Sequence, residues 1–160
     1  MRACCTIYLM SKLDISKNRV FIADTINLVG KTVTVEGWIR LRRDHGKLIF
    51  FTLRDGSGFL QVVINAKVSE KAYETAREIR PEFAVRVEGA VKKRPENAVD
   101  KTSPVGIVEL EAHEIEVISK AETLPFDMGG KDLNLELPTL LDFRGLSLRH
   151  PKVAAIFKVQ

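Results

Sequence analysis

Arg42-Arg43-Asp44-His45-Gly46-Lys47-Leu48-Ile49-Phe50-Phe51-Thr52-Leu53-Arg54-Asp55-Gly56-Ser57-Gly58-Phe59-Leu60-Gln61-Val62-Val63 decides how the chain is read. Leu48 to Arg54 alternates as a strand, with Ile49, Phe51 and Leu53 on one face and Leu48, Phe50, Thr52 and Arg54 on the other. Phe59 to Ile64 is a second strand, with Leu60, Val62 and Ile64 inward and Phe59, Gln61 and Val63 outward. Asp55-Gly56-Ser57-Gly58 supplies the turn between them. A basic cluster stands in front, an aromatic in the middle and one amide within the closing apolar run. Those are the residue types that grip a single-stranded nucleic-acid loop.

On either side of this hairpin the pattern builds a small barrel. Ile22 to Val29 reads as a turn or short helix stopped by Gly30. Thr32 to Leu41 alternates, with Val33, Val35, Ile39 and Leu41 expected inward and Thr34, Glu36, Trp38 and Arg40 outward. Gly37 interrupts the apolar face and predicts a bulge or sharp bend. Ser69 to Ile79 changes to helical spacing through Ala72, Ala76 and Ile79, with Ser69 as N-cap and Pro81 as terminator. Phe83 to Val91 and Ile107 to Ile118 are the last two strands, joined by a polar loop over 92–105. The fold class is mainly β. Five strands with a helix between the third and fourth is the order of an OB-fold barrel, which binds oligonucleotides or oligosaccharides on strands two and three and nearby loops.

The expected organisation is a loose extension over 1–21, the barrel over 22–118, a linker or hinge over 119–145 and a short C-terminal segment over 146–160. The hinge reading rests on Pro125, Gly129-Gly130, Pro138 and Gly145, and Pro151 is placed as the first residue of a helix. Val153, Ala154, Ile156 and Phe157, with the stem of Lys158, would give that helix an apolar side.

Composition bounds the function only loosely. The net charge of +4 permits an anionic partner without arguing for one. Its distribution says more: from Lys31 to Arg54 six Lys or Arg face only Glu36 and Asp44. Cys4 and Cys5 are adjacent, which suits neither a loop-closing bridge nor a metal site, and they point to a reducing compartment, the cytoplasm. Met10 is an alternative start that would leave both cysteines outside the native protein. No segment is long enough to span a membrane, so no membrane partner is expected. No glycine-rich phosphate loop, nucleophile elbow or cluster of metal ligands is present, so no catalytic residue and no metal are assigned.

Each candidate has two readings. Phe50 either stacks on an unpaired base or covers the barrel's outer surface. Gln61 either reads a base edge or is a solvated amide. Arg40, Arg42 and Arg43 either meet phosphate and bases or solvate a strand face. Asp44 caps a turn or orients an arginine. His45 sits in a tight glycine-containing loop. Glu109 either accepts from a base amine or is an exposed strand residue. His113 and His150 are isolated.

Gly37-Trp38-Ile39, Arg42-Arg43-Asp44-His45-Gly46, Leu48-Ile49-Phe50, Leu53-Arg54-Asp55, Gly58 and Gln61-Val62-Val63 closely resemble the N-terminal anticodon-binding domain of aspartyl-tRNA synthetases. The resemblance continues through Val87-Glu88-Gly89, Lys93-Arg94-Pro95-Glu96 and Glu109 to Lys120-Ala121-Glu122-Thr123-Leu124-Pro125-Phe126, and covers roughly residues 22–160. It implies an OB-fold that reads the aspartate anticodon. The aromatic at Phe50 would stack on the central base, and Gln61 would hydrogen-bond it, helped by Arg43. Glu109 would approach the first base. Arg42, His45 and Arg94 join this tRNA-binding set, and a histidine at the His45 position accompanies acceptance of asparagine tRNA in family members.

The same resemblance implies that family enzymes continue into a class II catalytic domain using ATP and Mg. Leu141-Asp142-Phe143-Arg144-Gly145-Leu146-Ser147-Leu148-Arg149-His150-Pro151-Lys152-Val153 resembles the approach to it, with Gly145 and Ser147 where bulkier or acidic residues are common. The expectation is a truncated ligase that binds tRNA as a monomer without aminoacylating, with no cofactor in this chain and a homodimer for the full-length enzyme. The alternative is a general single-strand-binding module.

Overall fold

One strand pairs with two neighbours and closes the barrel. The first strand, β1 (Thr32–His45), pairs antiparallel through its first half with β4 (Ala84–Lys93), from Thr32 opposite Ala90 to Trp38 opposite Ala84. Through its second half it pairs with β2 (Leu48–Arg54), from Trp38 opposite Arg54 to His45 opposite Leu48. β2 continues into β3 (Phe59–Asn65), β3 runs parallel to β5 (Val108–Ser119), and β5 pairs with β4. The closed order is β1-β2-β3-β5-β4. This computed structural model describes residues 19–100, 103–130 and 132–159, so Cys4, Cys5 and Met10 lie outside the described residues.

The bend needed for double pairing falls at Gly37. A Cβ there would lie 2.3 Å from the Arg54 carbonyl oxygen, so only glycine lets the two backbones approach. The irregularity in the ladder comes three residues later. Ile39 faces Leu53 and Leu41 faces Thr52, leaving Arg40 as the extra residue of a β-bulge. The bulge shifts the alternation by one. Leu41, expected beside Ile39 in the core, therefore shares the outer face with Thr52.

Inside the barrel, Val35, Ile39, Phe51, Leu53, Leu60, Val62, Val85 and Leu110 are fully buried. Helix α1 (Glu70–Glu78) closes one end with Ala72 and Ala76, and Ile79 is buried just beyond it. The Ser69 hydroxyl accepts from the Ala72 N–H at 3.2 Å, the expected N-cap.

Two segments depart from the expected organisation. Arg19 and Val20, placed in a loose extension, are attached to β1: the Val20 N–H donates to the Thr34 carbonyl at 2.9 Å. Ile22–Asn27 is a 3-10 helix, within the turn or short helix expected over Ile22 to Val29. The segment read as a linker carries α2 (Leu137–Asp142) and α3 (Arg144–Ser147). Pro138 lies in the first turn of α2, where a missing N–H costs nothing.

The chain divides into two compact units, one ending at Ala121 and one beginning at Glu122. In the second unit α4 (Pro151–Val159) starts at Pro151 as expected. Its Ile156 and Phe157 are exposed, and the side chain of Lys158 lies outside the described part. Ser147 is buried and donates to the Leu140 carbonyl at 3.0 Å. His150 is also buried, with Nε2 3.2 Å from the Gly130 carbonyl oxygen.

Asp55 ties the β2–β3 turn to the 3-10 helix. Its Oδ2 accepts from the Ile22 N–H at 2.9 Å. Its Oδ1 accepts from the Ser57 N–H and hydroxyl, both at 2.7 Å, and the Gly58 N–H at 3.0 Å. Partial burial pushes the carboxyl's pKa up, but these four hydrogen bonds outweigh it and hold the pKa below the ordinary aspartate value. A depressed folded-state pKa stabilises above the unfolded value, and that contribution is lost as pH falls through the folded one. Asp55→Ala is expected to cost about 1–2 kcal/mol in urea unfolding at neutral pH. The gap between wild type and Asp55→Asn should narrow as the buffer is acidified below the ordinary aspartate range.

Candidate nucleic-acid interface

The strand register sorts the outer face of β1, β2, β3 and β5 into rows of direct neighbours. Arg43, Phe50, Val63 and Glu111 form one row. Leu41, Thr52, Gln61 and Glu109 form the next, with Lys92 of β4 beyond. Trp38, Arg54 and Phe59 form a third. Rows lie two residues apart along a strand, about 7 Å. The structure therefore brings Arg43, Phe50, Gln61 and Glu109 together on one surface, although Glu109 is 48 residues from Gln61 in the chain.

Phe50 and Gln61 are half-buried, as strand residues with an open outer face should be. The His45 ring meets Phe50 edge-on, with centroids 5.5 Å apart and planes at 80°. The Gln61 amide N–H donates to Glu109 Oε2 at 3.2 Å. Burial raises the pKa of the Glu109 carboxyl, and this outweighs the opposing pull of the Arg94 charge and the Gln61 hydrogen bond. Glu109 is thus an acceptor poised on a partly dry surface.

The adjacent arginines do different things. The bulge at Arg40 puts Arg42 opposite Phe51, on the inward phase, and Arg43 opposite Phe50, on the outward one. Arg42 Nη1 donates to the carbonyls of Arg77 at 2.7 Å and Ile79 at 2.8 Å. Its Nε and Nη2 donate to the Asp44 carboxylate at 3.1 and 2.8 Å. Arg42 is therefore committed to the scaffold, where it caps the carbonyl end of α1. Arg43 is exposed and, among the described residues, makes no hydrogen bond or ion pair.

Arg94 is also drawn inward. Its side chain is almost wholly buried, with Nε 3.9 Å from Glu109 Oε2. Nη1 reaches the carbonyls of Ala98 and Gly106, both at 3.4 Å, across the base of the β4–β5 loop. That loop rises beside the face and walls a cleft of about 300 Å³, lined by Arg43, Phe59, Gln61, Arg94, Asn97 and Asp100 among others. Of this loop only Arg94 is in the expected tRNA-binding set; Asn97 and Asp100 of its wall carry no sequence signal. Phe59 was placed outward but given no function.

Electrostatics separate this face from the rest of the barrel. On the outer face of β1, β4 and β5, Arg86 bonds Glu36 and Glu116, each at 2.8 Å, and Arg19 joins Glu36 at 3.3 Å. Positive charge there is neutralised. On the β1–β2–β3 face Arg40 and Arg43 have no acidic partner among the described residues. A half-buried aromatic, a donor–acceptor amide, a partly buried carboxylate and guanidiniums without an acidic partner on one open sheet suit stacked bases and a phosphate backbone.

The fold is shared with known proteins. A family model described as an OB-fold nucleic acid binding domain matches residues 33–118, just over half the chain. The aspartate–tRNA(Asp/Asn) ligase of Halothermothrix orenii is 42% identical over 125 residues, 78% of this chain and 21% of that protein. The solved structure of a putative aspartyl-tRNA synthetase from Leishmania major superposes with a TM-score of 0.73 at 26% identity, over 88% of this chain and 29% of that one. The asparaginyl-tRNA synthetase of Pyrococcus horikoshii superposes with a TM-score of 0.69 at 32% identity, over 89% of this chain and 32% of that one. The chain spans about a fifth of the length of the curated relatives it matches. With its five strands closed into a barrel and the match running from β1 to β5, the chain belongs to the tRNA anticodon family of OB-fold nucleic acid binding domains, the part it shares with aspartate–tRNA ligases.

Proposed function

We propose that this chain is the tRNA-holding part of an aspartate–tRNA ligase and that the outer face of β2 and β3 reads the aspartate anticodon. The observation that supports this most directly is the single surface joining Arg43, Phe50, Gln61 and Glu109 beside the 300 Å³ cleft. Phe50 offers a π-face to the central base, and Gln61 is one row away to hydrogen-bond it. Glu109 accepts from the first base, and Arg43 pairs with phosphate or a base edge. Arg42 and Arg94 act through others, Arg42 by fixing β1 to α1 and Arg94 by holding the β4–β5 loop. Joining amino acid to tRNA, with its ATP and Mg, we assign to the remainder of a full-length ligase; the work of this chain is binding, as a monomer.

The relatives carry both aspartate and asparagine names, so stem-loops with either anticodon belong in the test. The chain should bind an aspartate-anticodon stem-loop more tightly than a scrambled loop in fluorescence anisotropy. Equal affinity for the two would overturn the reading in favour of a general single-strand binder. Phe50→Ala should weaken binding by about 1–3 kcal/mol, the worth of one stacked base. Gln61→Ala should chiefly flatten the preference at one base, by about 1 kcal/mol.

The two arginines should part company. Arg43→Ala is expected to leave thermal unfolding unchanged and to lower the slope of log affinity against log salt by about 0.7. Arg42→Ala should instead destabilise the fold by about 1–3 kcal/mol in urea unfolding.

Glu109 gives a pH signature. Its acceptance is strongest when it is ionised, and burial raises the pKa at which it loses that charge on acidification. The affinity advantage of wild type over Glu109→Gln should therefore shrink as pH falls, beginning above the ordinary glutamate range. An advantage that stays constant down to that range would remove Glu109 from the contact set.

A further inference from the structure

Beyond the four residues assigned to the anticodon, the same face carries an aromatic patch with no assigned task. Trp38 is 47% exposed and Phe59 is 36% exposed, large values for rings on a barrel strand. Both lie in one row, Trp38 opposite Arg54 and Arg54 opposite Phe59. The Arg40 guanidinium sits 4.8 Å from the Phe59 ring centre. Arg40 is the bulge residue and has no acidic partner among the described residues, whereas Arg54 meets Glu82 at 3.4 Å.

We propose that Trp38, Arg40 and Phe59 form a second stacking site, which takes a loop nucleotide flanking the anticodon. The proposal rests on the anticodon reading above and extends it. Three observations favour RNA over a protein partner here. The patch is continuous with the anticodon face, because Phe59 lines the same cleft as Gln61 and Arg43. One row separates Phe59 from Gln61, about 7 Å, a step an extended strand can bridge between neighbouring nucleotides. Finally, the patch combines an open indole with an uncommitted cation, which suits a base and its phosphate. The bulge itself makes the site, since the extra residue lets Arg40 lean over Phe59 while Trp38 keeps its outward phase. Arg40 covers the Phe59 ring, so the indole of Trp38 is the open stacking surface and Arg40 supplies the charge.

Trp38 is the only tryptophan in the chain, so its emission reports on this site alone. The test uses the full chain and a labelled seven-nucleotide RNA with the aspartate anticodon at its centre. Anisotropy of the label follows binding while Trp38 emission is read in the same titration. Emission should fall in step with anisotropy. Trp38→Ala should weaken binding about 5- to 140-fold, and Trp38→Phe should recover most of the loss. An abasic site at one flanking position should abolish the emission change and cost Trp38→Ala nothing further, because the partner is already gone.

Unchanged emission at saturation, or wild-type affinity in a Trp38→Ala variant that melts like wild type, would overturn the proposal. If Trp38→Ala melts early, Trp38→Phe and the abasic RNA series decide in its place. A scrambled RNA that binds equally and quenches equally would sink the anticodon preference and leave this site standing. Anticodon-specific anisotropy with silent Trp38 would do the reverse.

Discussion

The close passage of β1 over the end of β2 governs the rest of the molecule. At Gly37 the strand lies so near the Arg54 carbonyl that a side chain would occupy the oxygen's own space. This contact lets one strand serve β4 with its first half and β2 with its second, and so closes five strands without free edges. Three residues on, the bulge at Arg40 adjusts the register of the second half. Without it, the alternation of Val33, Val35 and Ile39 would carry through to put Arg43 inward and Arg42 outward. The bulge reverses that, giving the scaffold one arginine and the open face the other.

A binding face of this kind must keep some of its charge unsatisfied. The barrel does so by dividing its ion pairs unevenly. Glu36, Arg86 and Glu116 form a cross-strand ladder over β1, β4 and β5, where each acid meets a base. These pairs on the barrel surface leave that side without a strong field. Over β1, β2 and β3 the acids are fewer, and Arg40 and Arg43 stay available. The small net charge of +4 does not show this asymmetry, because a sum carries no positions.

The sequence made the strands legible because each is half-buried. Ile49, Phe51 and Leu53, then Leu60, Val62 and Ile64, alternate with outward residues and occupy the core as the pattern requires. Phe50 and Gln61 could be placed on the outer face for the same reason. The bulge at Arg40 was not legible, since a bulge is a mismatch of count between two strands and Thr32 to Leu41 alternates smoothly by itself. Gly37 predicts a bulge or sharp bend; the bend falls there, but the bulge lies three residues on, which puts Leu41 on the opposite face from the one expected. Arg94 could be named only by resemblance to a family motif. Its burial depends on a loop folding back over it, a fact of tertiary structure. Pro138 marked a linker by composition, yet the same residue opens a helix when it falls in the first turn.

The two sides of the open face are held in different ways. On the β1–β2 side, Arg42 bonds two carbonyls at the end of α1, and the Tyr73 hydroxyl donates to the Gly46 carbonyl at 2.7 Å. The turn carrying His45, and Phe50 beside it, is thereby fixed to a helix that is itself anchored in the core through Ala72 and Ala76. A ring positioned before the base arrives loses little freedom on binding, so more of its stacking energy remains as affinity. On the opposite side the β4–β5 loop is gripped at its base by Arg94 through two contacts of 3.4 Å, at the long end of the hydrogen-bond range. Backbone bonds close the loop as well, from the Arg94 N–H to the Ile107 carbonyl at 2.9 Å and from the Asp100 N–H to the Gly106 carbonyl at 3.1 Å. The sheet side of the face is thereby tied to a helix in the core, and the loop side to the buried Arg94.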